Sequence, residues 1–284
     1  MSDVTKLLVW RYPQLSLPVE EGMSRDPRYT DIVRKGLLPV SPADPFLGSE
    51  KDVIITRDTP IGQVEVILLG HRQDFERFIQ CIVHRCEPVP VPASMGADTI
   101  FGVTNRRKIE AHKKEFLKDN SPFMWGAEFK RFTADKANYC DNILVVSDGP
   151  YSAVPASDAG LCEEEWRKAS LSIRTAHELT HLVCRRLWPE HKQAIRDEVL
   201  ADAMGLWDAF GRYDVTLALR LIGIRNRELL PDGRLRNYVR DGESAEELVP
   251  MVTALSEELG QHLGRLSGKM FDCLRYLEEN SIGL

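Results

Sequence analysis

Short apolar stretches in the first half of the chain predict β-strands. Residues 53–55 form one such run, and residues 64–69 form a second, with Asp58-Thr59-Pro60 between them as turn residues. A hairpin or two neighbouring strands are therefore expected here. Residues 100–103 and 142–147 are further apolar runs, and residues 142–147 give the clearest strand signal in the chain. The first half is thus expected to contain a small sheet.

Helical spacing of apolar residues also occurs in the first half. Residues 73–85 place their large apolar side chains on one helix face, and residues 106–118 predict a charged helix. Asp26 is expected to cap a short helix over residues 26–35. The remainder of residues 1–50 is rich in proline and is expected to form an irregular arm over the body.

The second half predicts helices almost to its end. The first is expected from residue 161, with Ser157 or Asp158 as its cap, and Pro189 prevents its continuation. Gly211 is expected to close the second helix. The predicted helices cover residues 161–188, 192–210, 214–224 and 244–279, the last as one helix or a pair.

These patterns predict an α+β fold. The mixed part with the irregular arm and small sheet is expected over residues 1–155, and the mainly helical part over residues 156–284, together forming one compact unit. With 284 residues, of which 43% are hydrophobic and 28% charged, the chain can bury a large core and is typical of a globular protein.

Charge and cysteine content narrow the class of protein. The net charge of −6 gives no reason to expect nucleic-acid binding. The N-terminal sequence has no signal-peptide pattern and no apolar run is long enough to span a bilayer, so no membrane partner is expected. The six cysteines are scattered along the chain, so we expect reduced thiols and a cytoplasmic location.

One motif in the first predicted helix of the second half indicates chemistry. His177 and His181 are four residues apart and lie on one helix face, where two imidazoles can bind the same ion. Glu178 lies beside them and can take a proton from water. This H-E-x-x-H pattern is that of a zinc hydrolase.

The helix break at Pro189 indicates where a third ligand lies. If the helices on either side of the break pack antiparallel, His181 and Glu198 lie at the same level, about 13 Å from the turn. Glu198 is therefore predicted as the third ligand. Asp202 follows it by four residues on the same face and is predicted to accept the other N–H of His177.

H-E-x-x-H followed by E-x-x-A-D resembles the gluzincin branch of zinc metallopeptidases, over about residues 171–205. The resemblance implies a zincin-like active-site helix, Zn²⁺ bound by His177, His181 and Glu198, Glu178 as general base and Asp202 in support. It also implies a peptide or protein substrate. A sheet commonly lies beside such a helix, and its edge strand can pair with extended substrate. The sequence leaves open whether residues 142–147 are that edge.

A peptidase of this kind needs a donor for the oxyanion that forms on the attacked carbonyl. Tyr238 is the first choice because it follows a turn in the helical half, and Tyr151 and Tyr213 are alternatives. For each of the three, a packing role is the competing interpretation.

Two alternatives to a peptidase stay open. The first is a regulatory or partner-binding protein that uses a zincin scaffold with latent or absent hydrolysis, in which residues 1–50 or 88–104 cover the site. The second is hydrolysis of a non-peptide amide or ester, since the metal chemistry is the same. An open position on the metal that faces a cleft would favour hydrolysis over partner binding.

Basic clusters occur at Arg106-Arg107-Lys108 and Lys113-Lys114. The following residues 121–139 are aromatic and charged without clear periodicity. Because no aromatic residues interleave with the basic clusters in sequence, we expect a solvated surface there.

Overall fold

Residues 3–37, 46–93, 95–191, 193–239 and 244–282 are described in a computed structural model. Within these ranges the predicted α+β fold is confirmed. The strands are β1 (Val53–Thr59), β2 (Gly62–Leu69), β3 (Ala97–Thr104), β4 (Cys140–Ser147), β5 (Ile224–Arg225) and β6 (Glu228–Leu229). The α-helices are α1 (Asp3–Arg11), α2 (Pro27–Tyr29), α3 (Arg72–Ile82), α4 (Arg106–Phe116), α5 (Trp125–Phe132), α6 (Ala156–Ala159), α7 (Glu163–Leu187), α8 (Ala194–Phe210), α9 (Val215–Ile222), α10 (Ala245–Leu263) and α11 (Met270–Glu279).

The first four strands form a mixed sheet in the order β1-β2-β4-β3. β4 is an interior strand, and its residues 143–146 are buried, which explains their unbroken apolar run. β3 is therefore the edge next to β4. The expected turn at Asp58-Thr59-Pro60 begins two residues later, because Thr59 still belongs to β1 and its hydroxyl donates to the Gly62 carbonyl at 2.6 Å.

The chain groups into two compact units built from alternating segments. The first comprises Met1–Ile55, Ile67–Val91 and Thr99–Val145, and the second comprises Thr56–Val66, Pro92–Asp98 and Val146–Leu284. The second unit thus contains the whole of the predicted helical half. The predicted boundary near residue 155 stays a prediction.

The expected irregular arm over residues 1–50 is wrong in its described part. Residues 3–11 form α1, which buries Thr5 and Leu8, and Tyr12 follows with its hydroxyl donating to Asp141 at 2.7 Å. Nine residues with two buried positions give too weak a period to be read from sequence. Asp26 does cap a helix, because its side chain accepts from the Arg28 amide at 2.8 Å. The chain then continues as a π-helix from Thr30 to Arg34. Residues 38–45 lie outside the described residues.

The start of α7 differs from the prediction. Ser157 and Asp158 lie in the separate short helix α6, and α7 begins after Cys162. The Cys162 amide donates to the Glu165 carboxylate at 3.1 Å, which closes a capping box. A glutamate three residues into the helix therefore replaces the expected serine or aspartate cap. Asp214 caps α9 by accepting from the Leu217 amide at 3.0 Å.

The third predicted helix of this half ends earlier than expected. Gly223 takes a left-handed conformation with φ 96°, and a Cβ there would lie 2.2 Å from the Gly233 Cα. The chain therefore leaves α9 at Ile222 and forms the small antiparallel hairpin of β5 and β6. Two-residue strands are too short to predict from alternation.

α7 and α8 pack antiparallel at close range. His181 meets Glu198, His177 meets Asp202 and Ile173 meets Gly205, so partners advance along α8 as they recede along α7. A Cβ at Gly205 would lie 2.8 Å from the Ile173 carbonyl oxygen. Only glycine permits this approach, which places both helices' polar faces within reach of each other.

The connection between α7 and α8 is fixed by a buried carboxylate. Glu278 of α11 is buried, accepts from Arg196 Nη1 at 3.0 Å and lies 2.6 Å from His191 Nδ1. His191 is therefore only partly exposed, because Glu278 of α11 lies against its ring. This contact joins the turn after α7 to the first turn of α8.

No helix in the described ranges has the combined length and apolar character needed to cross a membrane.

Gly205→Ala is expected to lower the free energy of unfolding by about 1–3 kcal/mol, because the added methyl group overlaps the Ile173 carbonyl. Gly126→Ala in α5 is the matched control, since a Cβ there meets nothing within 4 Å, and it should raise stability slightly through helix propensity. Urea unfolding of both variants measures the difference. Equal stability of the two variants would contradict the close packing of α7 and α8.

Candidate metal centre

Three side chains from α7 and α8 bring their donor atoms together. His177 Nε2 lies 3.0 Å from His181 Nε2 and 3.5 Å from Glu198 Oε2, and His181 Nε2 lies 3.3 Å from Glu198 Oε1. Among the described residues, these are the three His, Cys, Asp or Glu side chains grouped closely enough to bind one ion. The helix break at Pro189 thus brings Glu198 level with the two histidines.

The spacing of the three donors fits a zinc ion. Zinc binds nitrogen and carboxylate oxygen at roughly 2.0–2.2 Å in tetrahedral geometry, which places neighbouring ligand atoms about 3.3–3.5 Å apart. The three separations between the donors of His177, His181 and Glu198 lie close to that range. Two imidazoles with one carboxylate is also the donor set of a catalytic zinc site, which leaves a fourth position open.

His177 is held from behind by a carboxylate. Its Nδ1 lies 2.9 Å from Asp202 Oδ1 and 2.9 Å from the Tyr151 hydroxyl oxygen. Tyr151 in turn donates to Asp202 Oδ1 at 2.6 Å. With the phenol proton given to Asp202, the consistent assignment places a proton on His177 Nδ1, so that Nε2 is the ring nitrogen facing the centre.

The site attracts positive charge. Burial lowers the pKa of His177, but the carboxylates of Asp202 and Glu198 outweigh burial and raise that pKa to about 10. Burial likewise opposes ionisation of Glu198, and its contacts with His177 and His181 hold the Glu198 pKa well below its usual range. A cation therefore has two ionised carboxylates around it.

Arg234 completes the support of the site. Its guanidinium forms an ion pair with Asp202 and donates from Nη1 to the Tyr151 hydroxyl at 2.9 Å. Both side chains of the ion pair are buried, so the pair offsets the cost of burying the Asp202 charge. Sequence analysis did not assign a role to Arg234, because no fixed spacing connects the turn after Pro231 to α8. Its position beside Tyr238 in the segment Arg234–Tyr238 was the only available signal.

The predicted ligands line a cavity of about 440 Å³ together with Glu178 and Tyr238. Glu178 therefore reaches the same space as the donor atoms of His177 and His181. Tyr238 lies beside Arg234, whose guanidinium carbon is 5.9 Å from the phenol ring centre. Burial raises the pKa of Tyr238, against the Arg234 charge, and the hydrogen bond to Glu198 adds to the rise, so the phenol keeps its proton.

The other two candidate tyrosines occupy different positions. Tyr151 also borders the cavity, but its hydroxyl is committed to Asp202, His177 and Arg234. Tyr213 packs against the apolar clusters of the second unit and is not among the residues lining the cavity. The geometry therefore leaves Tyr238 as the tyrosine with access to the cavity and no role in holding His177.

The segment before β3 forms part of the cavity wall. Pro92, Met95, Gly96 and Ala97 line it, within the range 88–104 that was considered as a cover for the site. The Gly96 carbonyl accepts from the Ser147 amide at 2.8 Å, which ties the start of β3 to the end of β4. No described residue of the range 1–50 lines the cavity.

Arg174, one turn before His177 on α7, holds the loop after β4. It donates to the carbonyl oxygens of Ser147 and Pro150, each at 2.7 Å, and to that of Gly149 at 3.2 Å. These bonds satisfy the carbonyl groups of a turn that would otherwise be unpaired, and they position Tyr151 behind His177.

Comparison with known proteins gives a family but no activity. A protein family described as Family of unknown function (DUF7005) matches residues 1–282. The chain belongs to this family. No curated protein and no solved structure matches the chain. The function of this family member is therefore inferred from the geometry of its site.

Arg234→Met is expected to lower the free energy of unfolding by about 3–5 kcal/mol, because Asp202 is left as a buried, uncompensated charge. Adding Asp202→Asn to this variant should restore part of the loss, with a coupling of more than about 1 kcal/mol. Arg236→Met is the control, since Arg236 forms an exposed pair with Glu246 and should cost less than about 1 kcal/mol. Urea unfolding measures five proteins: the wild type, Arg234→Met, Asp202→Asn, the combination of these two, and Arg236→Met. Additive losses for Arg234 and Asp202 would contradict the paired arrangement.

Proposed function

We propose that this protein is a zinc-dependent metallopeptidase, in line with the resemblance of its motifs to gluzincins. One observation carries the proposal: three ligand atoms at tetrahedral spacing border the same cavity as a glutamate adjacent in sequence to the first ligand. Three protein ligands with an open position are typical of catalytic zinc, whereas structural zinc has four.

His177, His181 and Glu198 would hold the ion. A zinc ion bound there supplies Lewis acidity, which polarises a carbonyl oxygen and makes water easier to deprotonate. Asp202 fixes the tautomer and ring orientation of His177, and Arg234 keeps Asp202 ionised. Two charged side chains, Asp202 and Arg234, therefore hold the His177 ring in its orientation.

Glu178 is the proposed general base. Its carboxylate borders the cavity next to the two histidines, where it can accept a proton from the attacking water. The same carboxylic acid then donates that proton to the nitrogen of the departing amine. One residue performs both transfers because attack and departure occur at the same carbon.

Tyr238 is the proposed donor to the oxyanion. It borders the cavity from the segment after Pro231, and its phenol retains its proton. A hydroxyl donor directed at the carbonyl oxygen stabilises the charge that develops there during attack.

A peptide substrate is favoured by the wall opposite α7. The segment entering β3 lines the cavity, and β3 is an edge of the sheet, so its backbone can pair with an extended peptide. This support is specific to a peptide, because a small amide or ester offers no strand of backbone groups.

The competing function is a regulatory or partner-binding protein on a zincin scaffold. That alternative expects the open metal position to be covered by the chain. The ligands instead border a cavity that also contains Glu178, which favours hydrolysis. Hydrolysis of a non-peptide amide or ester is the third candidate, and the identity of cleaved products distinguishes it.

We further propose that the protein acts in the cytoplasm. All six cysteines are free thiols, three of them buried, as is usual for a reducing compartment.

His181→Ala is expected to lose bound zinc, because a site with two remaining ligands binds far more weakly. Metal analysis of purified protein should give about one zinc per chain for the wild type and close to none for the variant. His84→Ala is the control, since His84 is partly buried, as His181 is, and lies outside the ligand group. Zinc retained in full by His181→Ala would overturn the ligand assignment.

Glu178→Gln is expected to keep zinc and lose hydrolysis, with the rate falling by at least about a hundredfold, because the amide cannot accept a proton from water. Incubating cell extract with wild type and with Glu178→Gln, then comparing new peptide N-termini, identifies substrates and tests the mechanism together. Glu257→Gln, an exposed glutamate on α10, serves as the control. Identical cleavage by wild type and Glu178→Gln would refute the proposed base.

A further inference from the structure

An apolar tip projects from the first compact unit between α4 and α5. Phe123 is 99% exposed and Met124 is 53% exposed, with Pro122 beside them also exposed. No residue of α5 is buried. Large apolar side chains with such exposure side by side mark a contact surface rather than a folding element.

The base of this tip is a packed cluster of aromatic side chains. Trp125 packs with ring-centre distances of 6.2 Å to Phe116 and 5.8 Å to Phe129, and His112 stacks on Phe132 at 4.0 Å. These contacts attach α5 to α4 and leave Phe123 and Met124 directed away from their small cluster. The exposure of the tip is therefore built into the fold.

Positive charge is concentrated in the segment of the chain that carries the tip. Residues 105–136 contain nine Lys and Arg against five Asp and Glu, a net charge of +4 in a chain whose total is −6. Arg107 and Lys114 lie two turns apart on one face of α4, and Lys118 follows just after the end of that helix. Within the described chain, no carboxylate pairs with Lys114 or with Lys130 of α5.

Tryptophans accompany these charges at both ends of α4. The Arg107 guanidinium lies 4.6 Å from the ring centre of Trp10, which is 55% exposed, and the Lys113 ammonium lies 5.8 Å from that of Trp125. The aromatic residues that are absent from the basic clusters in sequence are therefore supplied by α1 and α5 in space. The expectation of a solvated surface stays a prediction, but the lack of aromatic neighbours on which it rested holds only along the sequence.

We propose that this surface, comprising α4, α5 and Trp10, docks on an anionic lipid bilayer. Phe123 and Met124 would enter the outer hydrocarbon, the tryptophans would lie at headgroup level, and the lysines would contact acidic headgroups. An exposed apolar tip with basic residues on the two helices beside it matches a bilayer surface, where charged headgroups lie over an apolar interior. The proposal is independent of the metal centre and departs from the sequence expectation of no membrane partner.

Nucleic acid fits this surface less well. Single-stranded nucleic acid binds to aromatic rings presented in a groove, where bases stack successively. Phe123 projects without neighbours on either ring face, and Met124 offers no stacking surface. A bilayer offers an apolar phase that can receive both side chains, whereas a nucleic acid offers none.

Flotation of the full chain with vesicles tests the apolar part of the proposal. The wild type should bind phosphatidylcholine vesicles that contain phosphatidylserine and bind much less to phosphatidylcholine alone. Phe123→Ser with Met124→Ser should lower partitioning by about tenfold or more, because the inserted apolar area is lost. Met251→Ser, an equally exposed methionine on α10, is the matched control and should bind as the wild type does. Thermal unfolding of the double variant should change little, since Phe123 is 99% exposed and Met124 is more than half exposed.

The contribution of the lysines to binding is tested with a second double variant and a control that has the same change in net charge. Lys114→Glu with Lys130→Glu should lower binding to the phosphatidylserine vesicles by about tenfold. Arg265→Glu with Arg275→Glu changes the net charge by the same amount at exposed positions of the second unit and should leave binding unchanged. Added salt should weaken wild-type binding.

Three results would overturn the proposal. The first is wild-type protein that binds neither vesicle type. The second is equal binding by the wild type and the tip variant. The third is self-association in solution that the tip substitutions abolish while vesicle binding is absent, which would assign the surface to a second copy of the chain.

Discussion

The close packing of α7 against α8 is the constraint on which the site depends. Gly205 of α8 lies against the Ile173 carbonyl of α7, and this contact brings the two helix backbones close together. The same separation holds along the next two turns of α7, which carry His177 and His181. His177, His181 and Glu198 can meet only because the backbones are this close. A glycine without any chemical role therefore determines whether three ligands form one centre. Glu278 acts at the other end of the pair, where it holds the connection between the helices.

The second requirement is that buried charges compensate one another. Asp202 lies between His177 and Arg234, and Tyr151 bonds to all three. Removing a single member leaves the others buried without a partner, which costs far more than the bond itself contributes. The arrangement links the orientation of a ligand to the stability of the second unit, so function and folding depend on the same contacts.

The two compact units carry different surfaces. The second holds a concave, charged site whose polar groups are paired inside the protein. The first carries an exposed apolar tip between two helices that are rich in lysine and arginine. Concave polar sites suit small reacting groups, whereas convex apolar ones suit a broad medium such as a bilayer. The proposed peptidase activity and the proposed membrane docking would together place hydrolysis near substrates that are concentrated at an anionic surface.

The sequence by itself determined what local periodicity and a single helix break encode. These are the α+β class, most of the longer helices, the strand β4 but not its interior position, and the choice of His177, Glu178, His181, Glu198 and Asp202 as candidate site residues. A turn of few residues between two helices fixes which positions lie level, so this placement needed no further information. The ion pair of Arg234, the bonding of the Tyr151 hydroxyl to Asp202, and the grouping of Trp10 with α4 depended on residues distant in sequence. Such contacts follow from how elements pack together, and no spacing along the chain records them.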